Sequence, residues 1–320
     1  MAFGLFALAT APAGIIAAAV LTGVAGALFN PAVRSYLSRE ASEDRAGAFA
    51  VFNTAGDAGA FVGPLLGAAL LAVDFRLVSA VACGVFALLT IAQLLVLPAR
   101  EVDTHTDTVL GSWLTVVRNR RFLAFTLCGS GYFALYNQLY LVLPLEAERV
   151  TGTPAAVAVL FAVSTLLGVL FFVPIAAWGA RRMAPGSCVA LGLTLMAVGF
   201  VPVALSALLP TATTVEPLPG LVVLGGAVLF TLGIALANPF TMQLIPVVGD
   251  ERLTGTYYGF FYLVSALVAA GVSAAAGSLL DAGAPAVAAG CVVVVGSVCA
   301  CGTGWLQRRG ALGGARRRTL

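Results

Sequence analysis

Lysine is absent, histidine occurs once, and charged residues make up only 10% of the 320 positions. Apolar residues reach 60%, against roughly 45–50% apolar and 25% charged in a soluble globular chain. That balance excludes a water-soluble domain and leaves an all-α protein that crosses a membrane several times. His105, the sole histidine, lies in a polar connector. With no paired acids inside the apolar runs, no nucleophile motif and no metal-ligand spacing, a membrane-embedded enzyme is a weak rival. A nucleotide-binding P-loop is missing too, so direct ATP drive is unsupported. Neither a cofactor nor a nucleic-acid or obligate protein partner is implied. The six cysteines all fall within apolar runs and read as small hydrophobes, not as a disulfide framework.

What is present is a series of long apolar runs. After a stub at Met1–Ala11, nine reach bilayer length, near residues 13–37, 46–73, 75–98, 121–145, 154–178, 186–209, 219–248, 254–280 and 284–306. All seventeen basic residues are arginines, and their distribution sets an orientation. Fifteen fall in the loops of one side and in the basic tail (308–320), against Arg76 and Arg149 on the other, which predicts a cytoplasmic C-terminus. The stub is too short to span and has no basic leader, so it is a poor signal peptide.

An internal repeat organises the chain. Ala27-Leu28-Phe29-Asn30-Pro31 matches Ala235-Leu236-Ala237-Asn238-Pro239 at a spacing of 208. Gly47 meets Gly255 and Gly63 meets Gly271 at the same spacing. Both copies run helix, charged turn, helix in one direction, as expected of a parallel repeat of two homologous halves. With the second half beginning near Asn119, the first is expected to begin roughly 90 residues before Met1, with three further spans. The resulting division is an incomplete N-terminal bundle (1–98), a connector (99–120), a six-helix bundle (121–307) and the tail. Within the connector, Val109, Leu110, Trp113, Leu114 and Val117 recur at helical spacing before Arg118, Arg120 and Arg121. That pattern fits either an interfacial helix on the cytoplasmic leaflet or a plain lead-in to the next span.

The most informative stretch is Asn53–Gly67. Gly59, Gly63 and Gly67 fall four apart and predict a side-chain-free stripe for close helix contact. Pro64 predicts a bend within it. Asp57, on the side of Asn53 and Pro64, is the one acid expected at mid-membrane depth, where a carboxyl is costly and a functional candidate. Its functional reading is proton loading and release. The bland reading is a neutral acid hydrogen-bonded to Asn53, Thr54 or a neighbouring carbonyl.

These residues resemble the major facilitator superfamily, in particular its twelve-span drug:proton antiporters. Gly59-Ala-Phe-Val-Gly63-Pro64-Leu-Leu-Gly67-Ala68 is similar to that family's antiporter motif, G-x-x-x-G-P-x-x-G-G, with Ala68 replacing the last glycine. The resemblance implies a two-bundle fold containing part of span three and spans four to twelve. The family's signature loop would lie upstream. Its echo at Trp178-Gly179-Ala180-Arg181-Arg182 lacks the acid.

The implied activity is proton-coupled export of small lipophilic or amphipathic compounds by alternating access across the plasma membrane, with protons and the bilayer as the other partners. A facilitator or proton symporter taking up a nutrient is the nearer rival. Candidate cavity residues are Tyr132, Tyr136 and Tyr140, which recur every four, Asn137 at their edge, the repeat-related Asn30 and Asn238, and Gln243. Aromatic faces suit lipophilic cations; an ordinary buried aromatic stripe is the alternative. Each asparagine precedes a proline and is expected to cap a broken helical turn or to bond a substrate. Arg34, Glu40, Asp250 and Arg252 are candidate cytoplasmic gate residues, against solvated loop charges. Tyr257, Tyr258 and Tyr262 are expected as aromatics of the membrane–water belt.

Overall fold

The computed structural model describes residues 2–9, 11–40, 55–56, 59, 62–63, 66–67, 70, 73–96, 109–153, 155–207 and 217–312. Every regular element among them is helical, in agreement with the all-α expectation. Six described helices are long and apolar enough to cross a membrane. The chain forms two compact units, Met1–Thr108 and Val109–Leu320.

In the first unit the described helices are α1 (Ala2–Leu8), α2 (Pro12–Glu40) and α3 (Phe75–Val96). The stub α1 packs on α3 through Phe3 and Phe86, whose rings stack 5.2 Å apart. Gly4 faces Cys83 there. Large apolar side chains along α3, Leu88, Leu94 and Leu95 among them, are exposed. Such a surface is a liability in water but is the natural exterior of a helix in lipid.

The second unit contains α4 (Val109–Arg118), α5 (Arg120–Gly129), α6 (Gly131–Tyr136), a 3₁₀ turn (Asn137–Leu139), α7 (Val142–Thr151), α8 (Ala155–Arg182), α9 (Pro185–Ser206), α10 (Pro217–Val248), a second 3₁₀ turn (Glu251–Leu253), α11 (Thr254–Asp281) and α12 (Pro285–Arg308). Proline opens α9, α10 and α12, at a position whose N–H has no intrahelical partner anyway. Gly152 closes α7 in the left-handed conformation (φ 67°), which glycine adopts without steric cost.

Helix α9 is the centre of this unit. Gly192 and Gly199 meet Gly233 and Gly226 of α10 so closely that a Cβ on Gly199 would lie 2.6 Å from the Gly226 carbonyl oxygen. On the α12 side, a Cβ on Gly296 would lie 2.8 Å from that of Ala197. Small residues thus bring backbones together where lipid supplies no hydrophobic drive. Phe200 and Phe230, edge to face at 5.3 Å, fill the space beside the glycines.

The expected span 121–145 is not one rod. It is α5, α6, the 3₁₀ turn and α7 in succession. Pro144 explains the outer break: within a continuous helix its ring would clash with the carbonyl of Tyr140, four residues back. Restarting the helix at Val142 puts Pro144 in the first turn, where a missing N–H costs nothing. The segment runs beside α11 in the same direction. Phe122 meets Tyr257 (4.6 Å between centroids), Phe125 meets Phe261, and Gln138 meets Ser273.

Candidate functional site

Tyrosines four apart on a helix share one face, and the structure gathers the predicted set. Tyr132 stacks on Tyr136 with centroids 5.8 Å apart, and Tyr136 meets Tyr140 at 5.7 Å with their hydroxyls 3.3 Å apart. Tyr140 stacks in turn on Phe161 of α8. At the other end, Tyr132 lies edge-on to Phe133, which lies edge-on to Tyr262 of α11. The ladder runs from depth to surface: Tyr132 is 4% exposed and Tyr140 59%. Its open end presents ring faces and hydroxyls, groups whose chemistry suits stacking and cation–π contact.

Asn137 is exposed beside the ladder. Gln138 is fully buried behind it, donating to the Ala134 carbonyl (2.9 Å) and to Ser273 Oγ (3.2 Å). Its Oε1 has no partner among the described residues.

Tyr257 and Tyr258 depart from expectation, whereas Tyr262 is half-buried. Tyr257 and Tyr258 are buried rather than placed in an exposed belt. The Tyr258 hydroxyl donates to the Met242 carbonyl at 2.9 Å, and that of Tyr262 reaches Met242 Sδ at 3.4 Å. Proximity in sequence to a charged loop does not decide which way a ring turns; here packing against Phe122 and α10 does.

Asn238 is half-buried and Gln243 exposed on α10. The helix continues through Pro239, as α2 does through Pro31, so neither Asn30 nor Asn238 caps a helix end. Asp250 caps the second 3₁₀ turn, its carboxylate accepting from the Arg252 N–H at 2.9 Å; the Arg252 side chain is exposed. A Cβ on Gly59, Gly63 or Gly67 would meet no described atom within 4 Å. Asp57 and Pro64 lie outside the described residues, as do the side chains of Asn30, Arg34 and Glu40.

Two polar knots at opposite ends of this bundle were not anticipated. Asn119 accepts from the Phe122 N–H, capping α5, while its amide donates to the Val248 carbonyl at 3.2 Å and approaches Tyr257 Oη at 3.5 Å. An asparagine just before an apolar run is a legible cap signal. Elsewhere Glu146, 4% exposed, takes a two-pronged grip from Arg149 (both contacts 2.7 Å) and a hydrogen bond from Ser206 Oγ at 2.8 Å. Arg149 also donates to the Ser206 carbonyl, tying α7 to the end of α9. The hydrogen bond to Glu146 holds the guanidinium proton above the ordinary arginine range. Such a raised group contributes fully below that range and is lost only above it, so the arginine side of this pair is insensitive to physiological pH.

A family profile described as Major Facilitator Superfamily matches residues 1–275. The chain belongs to that superfamily. Among curated major facilitator relatives, Uncharacterized MFS-type transporter Rv0849 of Mycobacterium tuberculosis is 38% identical over 288 residues, covering 88% of this chain and 67% of its own length. Multidrug resistance protein MdtH of Photorhabdus laumondii is 33% identical over 286 residues (88% and 68%). Its namesake in Edwardsiella ictaluri is 32% identical over 266 residues (83% and 63%). The chain therefore spans about two thirds of the length of these relatives. Family membership makes it a multi-pass membrane protein of a transporter family.

Proposed function

We propose that this chain provides most of a secondary active transporter that exports small lipophilic or amphipathic compounds in exchange for protons. The observation that carries the reading is the aromatic ladder Tyr132–Tyr136–Tyr140, buried at one end and open at the other. It offers ring faces without a fixed charge, which suits lipophilic cations better than a charged nutrient. Support comes also from the near-intact antiporter motif at Gly59–Gly67 and from relatives named Multidrug resistance protein. On this reading Asp57 carries the proton. The same reading has the arginine-rich ends of the spans and the C-terminus face the cytoplasm of a plasma membrane, in keeping with the arginine bias. Alternating access of two repeat-related bundles moves the solute.

The test is binding of the lipophilic cation tetraphenylphosphonium to the protein in lipid nanodiscs by isothermal calorimetry. Loss of one ring at a partly desolvated cation–π site corresponds to a weakening of roughly tenfold for Tyr136→Ala, with Tyr136→Phe close to the parent. Equal affinity of the alanine variant and the parent overturns the assignment of the ladder.

A further inference from the structure

Helix α4 has two different outer aspects. Val116 is fully buried and Trp113 lies edge-on to Phe260 of α11 at 5.9 Å, fixing one side to the bundle. Leu110, Leu114 and Val117, at i, i+4 and i+7, form a second, exposed stripe, with Leu110 83% exposed. Taking about 100° per residue, Arg118 sits on the flank of that stripe. Arg120 and Arg121 follow at once, and all three arginines are exposed. None of them pairs with a described carboxylate.

We infer that α4 and these arginines form a binding site for anionic lipid headgroups. Leu110, Leu114 and Val117 enter the acyl boundary while Arg118, Arg120 and Arg121 meet phosphate oxygens above it. In a membrane protein the headgroup layer is the environment that offers hydrocarbon and negative charge side by side, at the depth an interfacial helix occupies. Guanidinium groups suit it because they present paired donors to phosphate. The geometry also supplies an effect. Asn119, between Arg118 and Arg120, holds Val248 of α10 and caps α5. Headgroups on its two neighbours therefore bear directly on the junction where the first span of this bundle begins. The inference rests on the membrane-spanning reading and not on the export reading.

The experiment uses the full chain with one tryptophan on the exposed stripe (Leu114→Trp with Trp113→Phe, Trp178→Phe and Trp305→Phe), reconstituted in mixed vesicles. Quenching of that tryptophan is compared for brominated phosphatidylglycerol and brominated phosphatidylcholine at equal mole fraction. The expected result is a preference for phosphatidylglycerol of roughly tenfold or more in apparent affinity. The Arg118→Gln, Arg120→Gln, Arg121→Gln variant abolishes the preference yet keeps quenching by phosphatidylcholine. The corresponding triple lysine variant retains part of it. Because the decisive comparison is made within the parent, poor folding of a variant leaves the test intact. Equal quenching by the two lipids overturns headgroup recognition. Quenching by neither shows that protein, from this chain or another copy, covers the stripe, and overturns the site. Neither readout depends on transport, so failure of export leaves this inference standing, and the reverse.

Discussion

Single glycines decide how closely α9 and α10 approach. A methyl group on Gly199 would press on the Gly226 carbonyl oxygen at 2.6 Å, and backbone cannot rotate aside as a side chain can. Gly199→Ala is expected to destabilise the protein by about 1–3 kcal/mol, the usual cost of overpacking. A lowered apparent melting temperature in detergent would register it. Gly290→Ala on α12, with nothing within 4 Å of the added carbon, is the control expected to equal or slightly exceed the parent. These contacts were not evident from sequence, where attention goes to the regular four-residue stripe Gly59, Gly63, Gly67. Gly192 and Gly199 are seven apart on one helix and their partners seven apart on another. That spacing has meaning only once the two helices are known to cross. The buried grip of Arg149 on Glu146 was similarly hidden: both residues count as outer loop charges until α7 is seen to turn them inward.

At the scale of elements, Asn119 shows how one side chain can serve three helices. Asn119→Ala removes the cap of α5, worth ~1 kcal/mol, together with the link to Val248. Asn119→Asp keeps an acceptor for the Phe122 N–H but loses the donor. Hydrogen–deuterium exchange is expected to rise at both Phe122 and the segment 248–257 in the alanine variant, and at 248–257 alone in the aspartate variant. Equal patterns in the two would mean that cap and link are not separable. The elements themselves were largely readable from hydropathy, which sums over a window as long as a bilayer is thick. For the same reason the break in the segment 121–145 was invisible to it. What makes the outer break of that span is one ring against one carbonyl, Pro144 against Tyr140, and no average over twenty residues reports it. The tyrosine ladder, in contrast, was legible, because a four-residue period maps onto one helix face however the far end bends.

Across the whole molecule, the proposed exchange requires that a proton site and a solute site be emptied and filled in turn. In inverted vesicles from cells producing the protein, addition of a lipophilic cation is expected to dissipate a preformed pH gradient, and Asp57→Asn to abolish the response while the protein stays in the membrane fraction. Full exchange by that variant would remove Asp57 from the mechanism. The tyrosines that would meet the solute flank the joint made by the Asn137–Leu139 turn. That segment is pinned at one extremity by Asn119 and at the other by Arg149 on Ser206. Between the two clamps the buried Gln138 ties the joint itself to Ser273 of α11, so the segment is held at three points along its length. For the proposed exporter this makes Tyr136 and Tyr140 a braced wall, presented in one arrangement to every guest.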